Sequence, residues 1–346
     1  MFYFHNDYNQ GCHQNVMDAL QKLQPVQMQS YGLDTACESA AKKIRALCQN
    51  DSLAVHFLVG GTQTNLTVIA AALRPHQAVL GVQTAHINVH ETGSIEATGH
   101  KVVAFPSSDG KITAKQIEQV MYEQLHDESA EHIVQIKMVY ISNSTELGTI
   151  YTLAELKEIS EVCKHYGLYL FMDGARLSYA LTAKDNDLTL TDLAKLCDVF
   201  YMGGTKCGAM FGEAVVISNP AIAEDFRYLI KQRGGMLAKG WLLGVQFDVL
   251  LEDNLYFQIA HNANCLATQL RNVFIKNGYP MLIPGSTNQV FPILPNDLLN
   301  KLSDNFTFTM QQVIDDAHKA VRFCTSWATT QESVDALCLA VEAYSK

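Results

Sequence analysis

Lys206 and Asp173 each follow a short apolar run, Val199–Met202 and Leu168–Met172, with the length and boundaries of a buried strand. Open α/β sheets place ligand sites at the C-terminal ends of their strands, so the two side chains are expected to face one crevice. Burial lowers a lysine's pKa, and a low-pKa amine is the nucleophile that Schiff-base chemistry needs. A carboxylate held opposite is the partner that keeps a pyridine nitrogen protonated. Together the pair points to pyridoxal phosphate. Each residue alone has a plainer reading. An Asp at a strand end commonly caps a helix, and a Lys after Gly-Gly-Thr is commonly solvated.

The pair gains weight from a phosphate cup upstream. Gly60-Gly61-Thr62-Gln63-Thr64-Asn65 follows the apolar strand Ala54–Val59 and precedes an apolar helix, read as Leu66–Leu73. Free N–H groups and the helix dipole favour a phosphate at such a start. The stretch lacks the Gly-Lys-Ser/Thr of a P-loop and is not GxGxxG. Further on, His86, His90 and Glu91 fall within six residues. The two histidines would share a helical face, a spacing that suits a metal, but there is no HExxH and no evident third ligand, so no metal is assigned. His86, nearest the strand end, is the candidate to lie over a cofactor ring. Asn143 or Thr145 follows another strand end. Arg322 lies in the strand-like run AVRFCTSW, where an arginine is either an ion-pair partner or a fork for a substrate carboxylate.

These residues need a sheet behind them. Strands are expected at Ala54–Val59, Ala78–Val82, Lys101–Phe105, Ile133–Ile141, Leu168–Met172, Val199–Met202 and Ala214–Ser218. Helices are expected between them, with capping boxes at Thr113–Gln116 and Thr152–Glu155. A helix over Ala221–Gln232 precedes a long helical region, Trp241–Asn272, bent near Asp253. Residues 1–15 read as irregular. Beyond Gly278 short strands and a helix over Gln331–Tyr344 suggest a smaller α+β unit. The expected division is 1–248 for a large α/β domain and 249–346 for the small one.

The 346 residues carry a formal net charge of −10, the wrong sign for a general nucleic-acid or anionic-membrane binder. No segment has the look of a signal peptide or a membrane span. Nine scattered cysteines without a CxxC read as buried thiols in a reducing cytoplasm.

Seven motifs in order, YGLD (31–34), VHFLVGGTQTN (55–65), HINVHETG (86–93), SNSTELGT (142–149), DGARL (173–177), GGTKCGAMFG (203–212) and VRF (321–323), resemble the threonine aldolase branch of the β-eliminating lyase superfamily. The resemblance spans nearly the whole chain. It implies an aspartate aminotransferase-like α/β fold (fold type I) with a mostly parallel sheet, pyridoxal 5'-phosphate as cofactor, and a homodimer or homotetramer. It makes Lys206 the Schiff-base lysine and Asp173 the pyridine partner. Gly61, Thr62 and Gln63 hold the phosphate, His86 stacks on the ring, and Asn143, Arg176 and Thr205 join the cofactor-binding group. Asn6, Arg176 and Arg322 contact the substrate. Three positions depart from the family pattern. Asn6-Asp7 replaces Ser-Asp, the Glu-Asn-Thr-His stretch has no clear match around Ser142–Glu146, and Ser326 stands where relatives often carry His.

The expected reaction cleaves a β-hydroxy-α-amino acid to glycine and an aldehyde, the hydroxyl proton passing to His86, His90 or a water. A β-eliminating lyase or aminotransferase would use the same lysine and aspartate. A phosphate-ligand binding protein would need the cup but not Lys206.

Overall fold

The seven apolar runs read as strands all join one sheet. In chain order the strands are β1 (Phe2–Tyr3), β2 (Ala54–Leu58), β3 (Gln77–Val82), β4 (Val102–Phe105), β5 (Gln135–Ser142), β6 (Tyr169–Asp173), β7 (Val199–Gly203), β8 (Glu213–Ile217), β9 (Gln289–Val290), β10 (Ile293–Pro295), β11 (Phe306–Thr307), β12 (Thr309–Val313) and β13 (His318–Cys324), in a computed structural model that describes residues 1–344. The central sheet runs β2-β8-β7-β6-β5-β3-β4. Only β8 is antiparallel to its neighbours. Every residue of β3, β7 and β8 is buried. That explains their unbroken apolar sequence: a sheet with both faces covered has no polar side to alternate with.

The helix starts follow the sequence signals. Thr113 and Thr152 form reciprocal capping boxes with Gln116 and Glu155, and Gly167 ends the second helix in the left-handed conformation. Asp34 caps the helix Thr35–Cys48 through the Cys37 amide at 2.8 Å. Three expectations needed correction. The helix read as Leu66–Leu73 begins at Gly61, so GGTQTN supplies its first turn. The helix read as Ala221–Gln232 is two, Pro220–Ala223 and Phe226–Gln232, parted at Asp225 by a φ of 57°. Residues 1–15 are not wholly irregular, because β1 pairs in parallel with β11.

The bend near Asp253 is present: Asp253 and Asn254 have φ of 48° and 60°, between helices Trp241–Leu250 and Leu255–Lys276. The second of these helices serves two cores. Tyr256, Ala260 and Ala263 pack under the large sheet. Leu266, Leu270 and Phe274 pack with Phe4, Phe323 and Leu337 in a second core. There β13 pairs with β10, β12 and β9. The Phe4 carbonyl accepts from the Cys324 amide at 2.7 Å, so the N-terminal segment is laced to β13. This lacing carries residues 5–8 toward the edge of the large sheet.

Candidate active site

The parallel strands deliver their last residues to one edge. β5 and β6 end in register with Ser142 opposite Asp173. β7 ends at Gly203, three residues before Lys206, and β2 leads into Gly60. The antiparallel β8 runs the other way, so it contributes its first residue there: Glu213 pairs with Gly203 and Leu58. Gly60, Gly61, Thr62, His86, Asp173, Arg176, Thr205, Lys206 and Glu213 line one cavity of about 280 Å³. An adjoining cavity of about 460 Å³ shares Tyr8, His86, Glu146, Arg176 and Lys206 with it and adds His90 and Arg322.

Asp173 is almost fully buried at its strand end. Its carboxylate accepts from Tyr140 at 2.5 Å, from the Ala175 amide at 2.9 Å and from Asn65 at 3.1 Å. Burial alone raises a carboxyl's pKa. Here the charge of His86 and the hydrogen bonds outweigh it, so Asp173 stays ionised below the ordinary range. The two amide hydrogens of Asn65 split between Asp173 and the buried Glu91, at 2.7 Å. Glu91 also holds His86 Nδ1 at 2.7 Å and Ser94 at 2.7 Å. His86 is thus fixed in ring orientation by the same network that holds Asp173.

Lys206 is half-buried, its Nζ 5.9 Å from the centre of the Tyr8 ring. Burial, then the neighbouring charge of Arg176, pulls its pKa below the ordinary lysine value, against the opposing pull of Asp7, Asp173 and Glu213. This is the condition under which a lysine amine is nucleophilic near neutrality. Beside it, Glu213 accepts from Thr205 at 2.8 Å and from the Gly204 amide at 3.1 Å, and burial pushes its pKa up to about 8.

The helix Gly61–Ala72 starts without a side-chain cap, its Gly60 cap residue extended. A Cβ added at Gly60 would meet nothing within 4 Å, so the cradle is open space against a free helix N-terminus. The buried Ser144 hydroxyl on the cavity wall has no partner among the described residues. An anion cradle, a low-pKa amine and an ionised carboxylate in one cleft fit pyridoxal phosphate.

Of the expected site residues, Gly61, Thr62, His86, Asp173, Arg176, Thr205 and Lys206 meet in the first cavity and Arg322 in the second. Three do not line either. The Gln63 side chain spans the Val59 amide and the Arg233 carbonyl, both at 3.3 Å. Asn143 turns its carbonyl oxygen to the Tyr151 amide at 3.2 Å. Asn6 accepts from the Tyr8 amide at 3.0 Å. The next residue turns inward instead: Asp7, fully buried, grips Arg176 at 2.7 and 2.9 Å and takes a third bond from Asn288 at 2.9 Å.

A profile of the beta-eliminating lyase family matches residues 10–294. The chain belongs to the beta-eliminating lyase family. Its fold is that of aspartate aminotransferase, fold type I, and it is a pyridoxal phosphate-dependent lyase. A low specificity L-threonine aldolase of Pseudomonas sp. is 31% identical over 348 residues, covering 98% of this chain and 97% of that protein. A second, from Pseudomonas aeruginosa, is 30% identical, covering 88% and 87%. The solved threonine aldolase of Leishmania major is 45% identical, with a TM-score of 0.97 over the whole of both chains. A Thermus thermophilus aspartate aminotransferase, 13% identical over 100% of this chain and 92% of its own, shares the fold at a TM-score of 0.73. In this lyase no helix among the described residues is long and apolar enough to cross a membrane.

Proposed function

We propose that this lyase is a threonine aldolase, cleaving a β-hydroxy-α-amino acid to glycine and an aldehyde. The observation that carries this reading is the meeting of Lys206, Asp173 and the open helix start at Gly61 in one cleft, with Arg322 facing the adjoining space. When bound, pyridoxal phosphate supplies an electron sink for the pair left on Cα as the Cα–Cβ bond breaks. The chain's own residues do the rest. The amides at Gly61 and Thr62 take the phosphate. Lys206 would hold the cofactor through its aldehyde, and its low-pKa amine would move a proton at Cα. Asp173, kept ionised, holds the proton on the ring nitrogen. His86, pinned by Glu91 at the cavity wall, would lie against the cofactor ring.

Arg322 takes the substrate carboxylate. Its Nη2 is bonded to the His5 carbonyl at 3.2 Å and its buried Nε has no partner among the described residues, leaving donors for a carboxylate. Fixing the carboxylate sets which bond at Cα lies perpendicular to the ring, and that orientation selects cleavage over other chemistries. Arg176, committed to Asp7, contributes positive charge rather than a free fork.

The same reading carries a homodimer or homotetramer in the cytoplasm. It is consistent with nine free cysteines, and sedimentation tests the assembly. The decisive test is product analysis. Purified protein supplied with pyridoxal phosphate should develop a visible band that borohydride bleaches, and should turn L-threonine or L-allo-threonine into glycine and acetaldehyde. Lys206→Ala should lose both properties. Pyruvate and ammonia instead of glycine would overturn the aldolase reading in favour of β-elimination.

A further inference from the structure

We infer that His90 is the group that takes the β-hydroxyl proton during cleavage, an inference that rests on the aldolase reading. The other histidine of the cleft is already engaged. His86 Nδ1 is bonded to Glu91 at 2.7 Å, and Glu91 is tied through Asn65 to Asp173. The His86 Nδ1 is thereby committed to the network that tunes Asp173. His90 sits one helical turn on, at the end of the short helix His86–Val89, its ring centre 5.5 Å from that of His86. It lines the cavity that also holds Lys206 and Arg322. Neither nitrogen of its ring has a hydrogen-bond partner among the described residues, so one is free to receive a proton.

The surroundings keep this ring neutral and ready. Burial, then the charges of His86, Arg322, Lys206 and Arg176, lowers its pKa below that of an ordinary histidine. Glu146 and Tyr8 line the same cavity, where burial and the charge of Asp173 raise the Glu146 pKa above that of an ordinary carboxyl. A neutral imidazole in a cationic cleft accepts a proton only when a reacting group releases one, which is the behaviour wanted of a general base at neutral pH. Placement agrees with the chemistry. Lys206, Arg322 and His90 line one cavity, so a substrate held with its carboxylate at Arg322 and its amine toward Lys206 would have its β-carbon in space that His90 borders.

The step balances. The hydroxyl proton passes to a His90 ring nitrogen. The O–H electron pair becomes the second bond of the aldehyde C=O. The Cα–Cβ pair stays with the glycine fragment, which takes up one proton at Cα, and His90 returns its proton to solvent after the aldehyde leaves.

The test separates the hydroxyl step from everything else. His90→Asn and His90→Ala should fold normally, since the residue is exposed. Two rates are measured in each: threonine cleavage, and exchange of the glycine Cα proton in deuterated water, which needs Lys206 and Asp173 but no β-hydroxyl. General base catalysis contributes about 10²–10⁴-fold, so kcat for cleavage should fall by at least about 100-fold with KM little changed. Glycine exchange should stay within about threefold of wild type. Added imidazole should restore part of the cleavage rate of His90→Ala. Cleavage that persists within about threefold in both variants, or exchange lost in parallel with cleavage, overturns the inference while leaving the aldolase reading in place. A wild-type protein that exchanges the glycine proton but cleaves no β-hydroxy amino acid overturns the reading and the inference together.

Discussion

Asp7 and Arg176, 169 residues apart in the chain, form a two-pronged ion pair at 2.7 and 2.9 Å with both side chains buried. It ties the N-terminal segment to the residues just after Asp173 and forms part of the cleft wall. The Asp7 carboxyl resists burial: the Arg176 and Lys206 charges, with hydrogen bonds from Arg176 and Asn288, hold its pKa at about 2, below the usual 3.8. The ionised form is therefore favoured by folding. Its contribution is complete above about pH 5 and is lost as pH falls through 2 to about 1, a loss of about 2 kcal/mol. Asp7→Asn should flatten the stability profile by about 1 kcal/mol between pH 4 and 2.5. At pH 6 it should cost about 3–5 kcal/mol, because Arg176 is left buried without its partner. Urea unfolding across pH measures both, and parallel profiles for the two proteins would refute the assignment.

The two arginines of the cleft should separate by phenotype. Arg176→Ala strands the Asp7 carboxylate and should destabilise the fold on the scale just given. Arg322 has no carboxylate partner among the described residues, only the His5 carbonyl and a long contact to Gln289 at 3.5 Å. Arg322→Ala should therefore change stability by no more than about 1.5 kcal/mol, the net worth of an ordinary hydrogen bond. A charge-assisted bond to a ligand carboxylate is worth about 1.5–3 kcal/mol, so glycine affinity should fall about 10–100-fold. Glycine titration beside thermal melting checks the pair. Unchanged glycine affinity in Arg322→Ala would remove this residue from the substrate site.

Sequence pattern revealed the elements better than the contacts. Continuous apolar runs mark all seven strands of the sheet, most plainly the inner ones whose two faces are covered, and Lys206 and Asp173 follow from where two of those strands stop. The helix start at Gly61 is not legible in GGTQTN because glycines and hydroxyls read as a loop, although this first turn carries no side-chain cap. Asn65 was visible within GGTQTN, but its bridge between Glu91 and Asp173 depends on helix rotation that no spacing rule gives. Tyr140 looks like any aromatic in a buried strand. Its hydroxyl reaches Asp173 from the neighbouring strand, a cross-strand relation set by register. Asp7 lies far from its partner in sequence, and the adjacent Asn6, which the family resemblance puts at the substrate, accepts instead from the Tyr8 amide.

Asn65 should tune the acid side of the reaction. One of its amide hydrogens stabilises the ionised Asp173, and the other keeps Glu91 from facing that carboxylate unbridged. Asn65→Ala removes a donor to the charged form, so the Asp173 pKa should rise toward the ordinary carboxyl range or above it. The acid limb of the kcat/KM profile should then move to higher pH. Asp173→Asn, which keeps the shape and removes the charge, should lower kcat by at least about 100-fold at every pH while cofactor is still taken up. An acid limb that stays in place in Asn65→Ala would show that Asn65 is structural only.

Two glycines at the sheet edge should respond in opposite ways to the same added methyl. Gly174 is locked by contact: a Cβ there would lie 1.6 Å from the Tyr201 carbonyl oxygen, so Gly174→Ala must displace β7 or the turn after Asp173, and soluble protein should fall sharply. Gly60 has an extended φ of −176°, which any residue adopts, and its added Cβ meets nothing. Gly60→Ala should fold with a stability change under about 1 kcal/mol, the scale of a cap substitution. Yet the methyl would enter the space where the helix amides meet a phosphate. The variant should bind pyridoxal phosphate at least about tenfold more weakly while binding of dephosphorylated pyridoxal changes little. Equal weakening toward both compounds would place the phosphate somewhere other than this helix start.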